Sequence, residues 1–95
     1  MPVKEWRTKE TMQISVAGRW PGTDKDYELE GTVVAHFLKG WNPDEERYVP
    51  MLVYWHDVES FVVKFGDGAE EFYLSEQLPD EVAGEVEWLI QQSLD

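Results

Sequence analysis

The chain has 95 residues, 42% of them hydrophobic and 14% aromatic, which is enough apolar material for one folded core and too little length for a second. Eight Lys and Arg against 20 Asp and Glu leave a formal charge of -12, so a phosphate backbone is repelled and direct nucleic-acid binding is disfavoured. There is no cysteine, which excludes a disulfide framework, a thiolate zinc site and a cysteine nucleophile.

Residues 1–10 are charged and mixed and read as an N-terminal arm without the apolar stretch of a signal peptide. No run of about 18 apolar residues suits a membrane span, so a cytoplasmic protein is the expectation. In residues 11–20, Met12, Ile14, Val16 and Trp20 alternate with Gln13, Ser15 and Arg19, the period of a half-buried strand, and Trp20-Pro21-Gly22 ends it. Residues 27–38 alternate again, with Tyr27, Leu29, Val33, Ala35 and Phe37 on one face, as a hairpin partner would. Gly31 there marks a bulge or the close approach of another backbone.

Residues 39–47 contain Gly40, Asn42 and Pro43 and three consecutive acids, and read as a solvated loop carrying Trp41. A third strand at residues 48–56 is apolar on both faces between Val49 and Trp55. That composition suits a central strand covered on both sides or one whose outer face meets a partner. Residues 58–66 give a fourth strand, Gly66-Asp67-Gly68 a tight turn, and residues 70–74 a fifth. After a lead-in at residues 75–79 the period changes to that of a helix over residues 79–94, with Pro79 in the first turn and Asp80 and Glu81 at the positive end of the dipole. Val82, Val86, Leu89, Ile90 and Ser93 share its inner stripe, and Trp88 falls on the opposite side among Glu81, Glu85 and Gln92.

These elements predict a single α+β domain, a curved antiparallel meander of about five strands with the C-terminal helix packed on it; a small SH3-like or OB-like barrel plus helix is the rival.

Chemistry-bearing patterns are sparse. His36 and His56 lie on different predicted strands, with Asp57 and Glu59 nearby, so a metal or acid/base site is geometrically conceivable, yet the spacing matches no signature. The pairs Glu45-Glu46, Glu70-Glu71 and Asp80-Glu81 read as solvated charge, and no serine has a glycine-flanked elbow. A non-enzymatic protein without metal or cofactor is therefore expected.

The charge is uneven: in residues 48–95 Lys64 stands alone against eleven acids, a balance of -10. Trp20 and Trp55 read as lids on the core, while Trp41 and Trp88 suit interface anchors with a polar rim. Together these features predict a small acidic inhibitor or modulator that docks on a basic surface of a nucleic-acid-handling protein, acting as a nucleic-acid mimic by steric and electrostatic blocking. In general character it is similar to the small acidic proteins that phages use against CRISPR or restriction complexes and to immunity proteins that plug nucleases; no motif of either is present. The expected contact residues are Glu70, Glu71, Glu81, Glu85 and Trp88, with Trp41, Asp44, Glu45 and Glu46 as a second patch. Two alternatives stand beside it. One is a β-domain binding carbohydrate or peptide on a platform of Trp6, Trp20 and Trp41; the other is a non-catalytic homodimeric accessory domain, favoured if the outer face of residues 49–55 is left uncovered.

Overall fold

The computed structural model describes residues 6–94, with side chains from Thr8 onward. In chain order these are β1 (Trp6–Arg19), β2 (Asp26–Asn42), β3 (Arg47–Asp57), β4 (Phe61–Phe65), β5 (Glu70–Tyr73), a 3-10 turn (Ser75–Gln77) and α1 (Asp80–Ser93). The α+β class and the antiparallel sheet are as expected, and the sheet is open rather than closed into a barrel.

β2 is the spine. Its 17 residues extend about 56 Å at about 3.3 Å each. β1 pairs with it on one edge over the full length, from Trp6↔Lys39 to Arg19↔Asp26. The other edge is divided: β4 pairs with the first part (Tyr27↔Phe65 to Glu30↔Val62) and β3 with the second (Val33↔Asp57 to Asn42↔Arg47). β3 and β4 thus lie end to end along one edge, the point at which the sheet departs from a plain meander. β5 flanks β4. The result is elongated, 55 × 25 × 17 Å, with a radius of gyration of 15.8 Å where a compact chain of this length has about 12 Å.

Two segments differ from the sequence reading. Residues 39–42 are strand, not loop, because Trp41 pairs with Tyr48 and shortens the connection to residues 43–46. Asn42 makes that turn: its side-chain oxygen accepts from the backbone N–H of Asp44 at 3.0 Å and of Glu45 at 3.4 Å, and Glu46 takes a left-handed φ of 52°. At the other end of the chain, β1 begins at Trp6, so residues 6–10 belong to the sheet, their charged composition tolerated because an edge strand is half solvated; residues 1–5 lie outside the described part.

The alternation read from sequence sorts the sheet into two faces. Ile14 and Val16 of β1, Tyr27, Leu29, Val33, Ala35 and Phe37 of β2, and Phe61, Val63 and Phe65 of β4 are all buried on one face. α1 closes that face with Val82, Val86 and Ile90, and it lies across β1 and β3. Burying those three side chains contributes roughly 5–9 kcal/mol of gross hydrophobic free energy. Leu89 is half-buried and Ser93 is exposed, its hydroxyl turned back to donate to the Leu89 carbonyl at 2.8 Å. Pro79 is the N-cap rather than a first-turn residue; its carbonyl accepts from Ala83 at 2.9 Å.

Gly31 is neither a bulge nor a backbone crossing. It leaves room for a ring: a Cβ there would overlap Phe61 Cδ1 and sit 2.7 Å from Cε1. Trp20 is a lid, with ring centroids 5.2 Å from Tyr27 and 5.3 Å from both Phe65 and Tyr73. Trp55 lies edge-on to Phe61 at 6.2 Å and donates its indole N–H to Glu87 at 3.2 Å.

The outer edge of β3 is guarded by the helix. Gln91 accepts from the Leu52 N–H at 2.9 Å and donates to the Pro50 carbonyl at 3.1 Å, so one side-chain amide takes the place of a neighbouring strand. Pro50 and the irregularity at Val53, where the pairing slips between His36/Tyr54 and Phe37/Leu52, interrupt the rest of the ladder.

Candidate functional site

The outward side of α1 gathers part of the acidic set predicted from sequence. Asp80, Glu81, Glu85 and Glu87 are exposed, Trp88 is 60% exposed, and the helix contains no Lys or Arg. Glu81, Glu85 and Trp88 follow at the four- and three-residue spacing that aligns side chains along one ridge. The two ion pairs found among the described residues, Lys25–Asp67 at 3.1 Å and Arg47–Glu45 at 3.3 Å, both lie off the helix.

Local structure accounts for some of these acids. Asp80 and Glu81 meet the partial positive charge of the helix start. Glu87 accepts from Trp55. Glu85 has neither role: its like-charged neighbour Glu81, one turn earlier, opposes the helix by about 0.2–0.5 kcal/mol, and its field together with burial raises the Tyr27 hydroxyl above its ordinary pKa, burial being the larger cause. Beside the ridge runs a shallow groove lined by Leu52, Val53, Gly84, Glu87, Trp88 and Gln91, kept open because nothing lies within 4 Å of where a Gly84 Cβ would point.

The other predicted contact residues fall elsewhere. Trp41 rests edge-on to Tyr48 at 5.3 Å, next to the hairpin tip that carries Asp44, Glu45 and Glu46; Glu45 is held by Arg47 and by the Asn42 amide at 3.4 Å. Glu70 and Glu71 lie on β5, beyond β4, and as neighbours on a strand they face opposite ways: Glu70 stands opposite Lys64 in the strand register, while the Glu71 carboxylate accepts from the Tyr73 hydroxyl. The fold therefore divides the expected surface into a helix ridge, a hairpin tip and a sheet edge. The tryptophan platform is not assembled either. Trp20 packs at the start of β2 and Trp41 near its end, about 46 Å apart along the strand; the Trp6 side chain lies outside the described part.

His36 and His56 do come together, on the sheet face away from the helix. Their ring centroids are 5.2 Å apart, and Tyr54 stacks on His36 at 4.2 Å with planes 4° apart. Asp57 does not join them, because the next residue of a strand points to the other face. There its carboxylate accepts from the Ser75 hydroxyl at 2.6 Å and N–H at 3.3 Å; the hydroxyl bond is the main reason its pKa lies below the usual carboxylate value. Among the described residues no three His, Asp or Glu side chains lie close enough to hold a metal ion. The histidine cluster left no pattern in the sequence, since the two residues are twenty apart and adjacent only through the β2–β3 register.

No helix among the described residues is long and apolar enough to cross a membrane. Compared with known protein families, with curated proteins and with solved structures, the chain matches none.

Proposed function

We propose that this chain is a binding module whose α1 ridge docks on a basic surface of another protein. The observation that carries the reading is the ridge itself: Glu81 and Glu85 in line with a Trp ring that is 60% exposed, on a helix that also exposes Asp80 and Glu87 and has not a single base. Carboxylates at this density draw a basic partner in from a distance and raise the association rate, whereas a large aromatic surrounded by polar groups is the kind of side chain that holds an interface together once formed. An arginine entering the groove at Gly84 meets the Trp88 ring, suited to a cation–π contact, with the Glu87 carboxylate beside it.

Proteins that handle nucleic acids are the partner class this suits best, because their phosphate-binding surfaces display Lys and Arg without their own counter-charges. Covering such a surface blocks it sterically and electrostatically, with no reaction needed. The test is capture from host lysate on the immobilised full chain, run in parallel with a Glu81→Lys/Glu85→Lys variant and eluted with salt. Basic nucleic-acid-binding proteins retained by the native chain, released by salt and lost from the variant are expected. Retention of the same proteins by both would remove α1 from the interface.

A further inference from the structure

The sheet face opposite α1 is composed as an interior. Over the half of the sheet formed by residues 34–42 of β2 with β3 and the adjoining part of β1, the register places Val34, His36, Leu38, Val49, Met51, Tyr54 and His56 on this side. Met51 is 56% exposed and Tyr54 is 54% exposed, with the bulged Val53 beside them at 56%. In a chain of -12 the patch contains no carboxylate among the described residues; the charged positions that the register places here are Arg7 opposite Leu38, Lys9 opposite His36 and Arg47 opposite Asn42. His36 Nε2 is shut away from solvent and has no hydrogen-bond partner among the described residues.

We infer that this face is the contact between two copies of the chain, packed sheet to sheet with the helices outermost. Charge is the first argument. Two chains of -12 repel over most of their surfaces, and this carboxylate-free face lets them meet with the acidic helices kept apart. With about 10 Å between the sheets and about 10 Å from each sheet to its helix, the helix axes stand about 30 Å apart, several times the Debye length of about 8 Å at physiological salt. The second argument is the missing layer. The sheet is apolar on both sides here, as a middle layer is, and the molecule is correspondingly extended and only 17 Å thick. A second identical face is apolar in the same places, its bases confined to the edge strand β1 and the start of β3, so the apolar middles of two copies can meet about a two-fold axis.

Three strands about 4.8 Å apart and nine residues long at about 3.3 Å each give on the order of 400 Å² per copy, about half the area each partner contributes to a standard stable interface. A contact of this size belongs with the weak, transient ones, so a concentration-dependent equilibrium is expected and is looked for between about 10 µM and 1 mM.

Sedimentation velocity of the full chain over that range tests it, at low and at about 1 M NaCl. A monomer–dimer equilibrium that tightens at high salt is expected, because salt screens the net repulsion and leaves the apolar contact. Met51→Lys/Tyr54→Lys, or Met51→Gln alone where the double variant fails to give a native circular-dichroism spectrum, raises the dissociation constant at least tenfold for the double and severalfold for the single change. At about 1 M NaCl, where charges about 30 Å apart are screened, Glu81→Lys/Glu85→Lys leaves it within about twofold, since the helices face away from the contact. A chain that stays monomeric to 1 mM at both salt concentrations overturns the proposal, including where this face instead binds a single-stranded oligonucleotide. So does a dimer abolished by the helix variant and untouched by the sheet-face variants.

Discussion

Gly31→Ala is the substitution for which the structure gives the clearest magnitude. The added methyl would overlap Phe61 Cδ1 and lie 2.7 Å from Cε1 and 3.1 Å from Cγ, where carbon atoms prefer about 3.5–4.0 Å. Neither side can yield easily. Gly31 sits in the longest strand, paired with Ile14, and Phe61 is 0% exposed between that strand and Trp55. Overpacking of this kind costs typically 1–3 kcal/mol and occasionally more. It outweighs the gain of about 0.5–1 kcal/mol that alanine has over glycine in a strand. We expect a net loss of about 2 kcal/mol, seen in urea unfolding followed by tryptophan fluorescence and as a fall in Tm of about 8–16 °C for a domain of this size. Phe61→Leu introduced into the Gly31→Ala background should recover at least 1 kcal/mol relative to the sum of the single changes, because it removes the atoms that clash. Gly84→Ala is the internal control: nothing lies within 4 Å of its Cβ position, so it should stabilise the helix by about 0.5–1 kcal/mol. A Gly31→Ala protein as stable as the native chain, or additive single and double variants, would refute the account of why glycine stands there.

Gln91→Ala removes both hydrogen bonds to the β3 edge and should lower stability by about 1–3 kcal/mol; Gln91→Glu should not restore it, since a carboxylate cannot donate to the Pro50 carbonyl. Glu46→Gly relieves a left-handed backbone that disfavours a side chain by about 1–2 kcal/mol, and after the entropy cost of glycine a net gain of about 0.5–1 kcal/mol is expected in the same unfolding assay. Asp57 has its carboxyl pKa lowered in the folded state, chiefly by the Ser75 hydroxyl. Its contribution is therefore complete above the unfolded value of about 3.9 and is lost as pH falls through the lower folded value. Stability measured from pH 6 to pH 2 should fall less on the acid side in Ser75→Ala than in the native chain; parallel curves would show that the bond does not matter. In the complex with a captured partner, Trp88→Ala should act mainly on dissociation and Glu81→Lys/Glu85→Lys mainly on association and its salt dependence, separable by surface plasmon resonance.

Much of this fold was legible in the chain because the alternation of side chains along a strand and the stripe along a helix are local. Met12 to Val16, Tyr27 to Phe37 and Val82 to Ile90 announced which side faces the core, and each does so in the structure. Trp88 was placed on the outer side of its helix by angle alone. The turn residues misled at 39–42: Gly40 and Asn42 are loop formers in isolation, but pairing with Val49 and Arg47 satisfies their backbone and extends the hairpin. Likewise, the charged residues of 6–10 suggested an arm, and an edge strand with one solvated side accommodates them.

The sequence by itself determined the class of fold, the faces of each element, the acidic field and the helix that carries Trp88, since all of these follow from periods of two and 3.6 and from summed charge. Tertiary structure alone decided that β3 and β4 share one edge of β2, that Gln91 serves as a strand for β3, and that the three acidic patches stand apart. It also decided that the apolar outer side of β3 joins His36 and His56 on one bare face. Those facts depend on register between residues far apart in the chain, where a shift of one residue would turn every side chain over, and no local pattern records it.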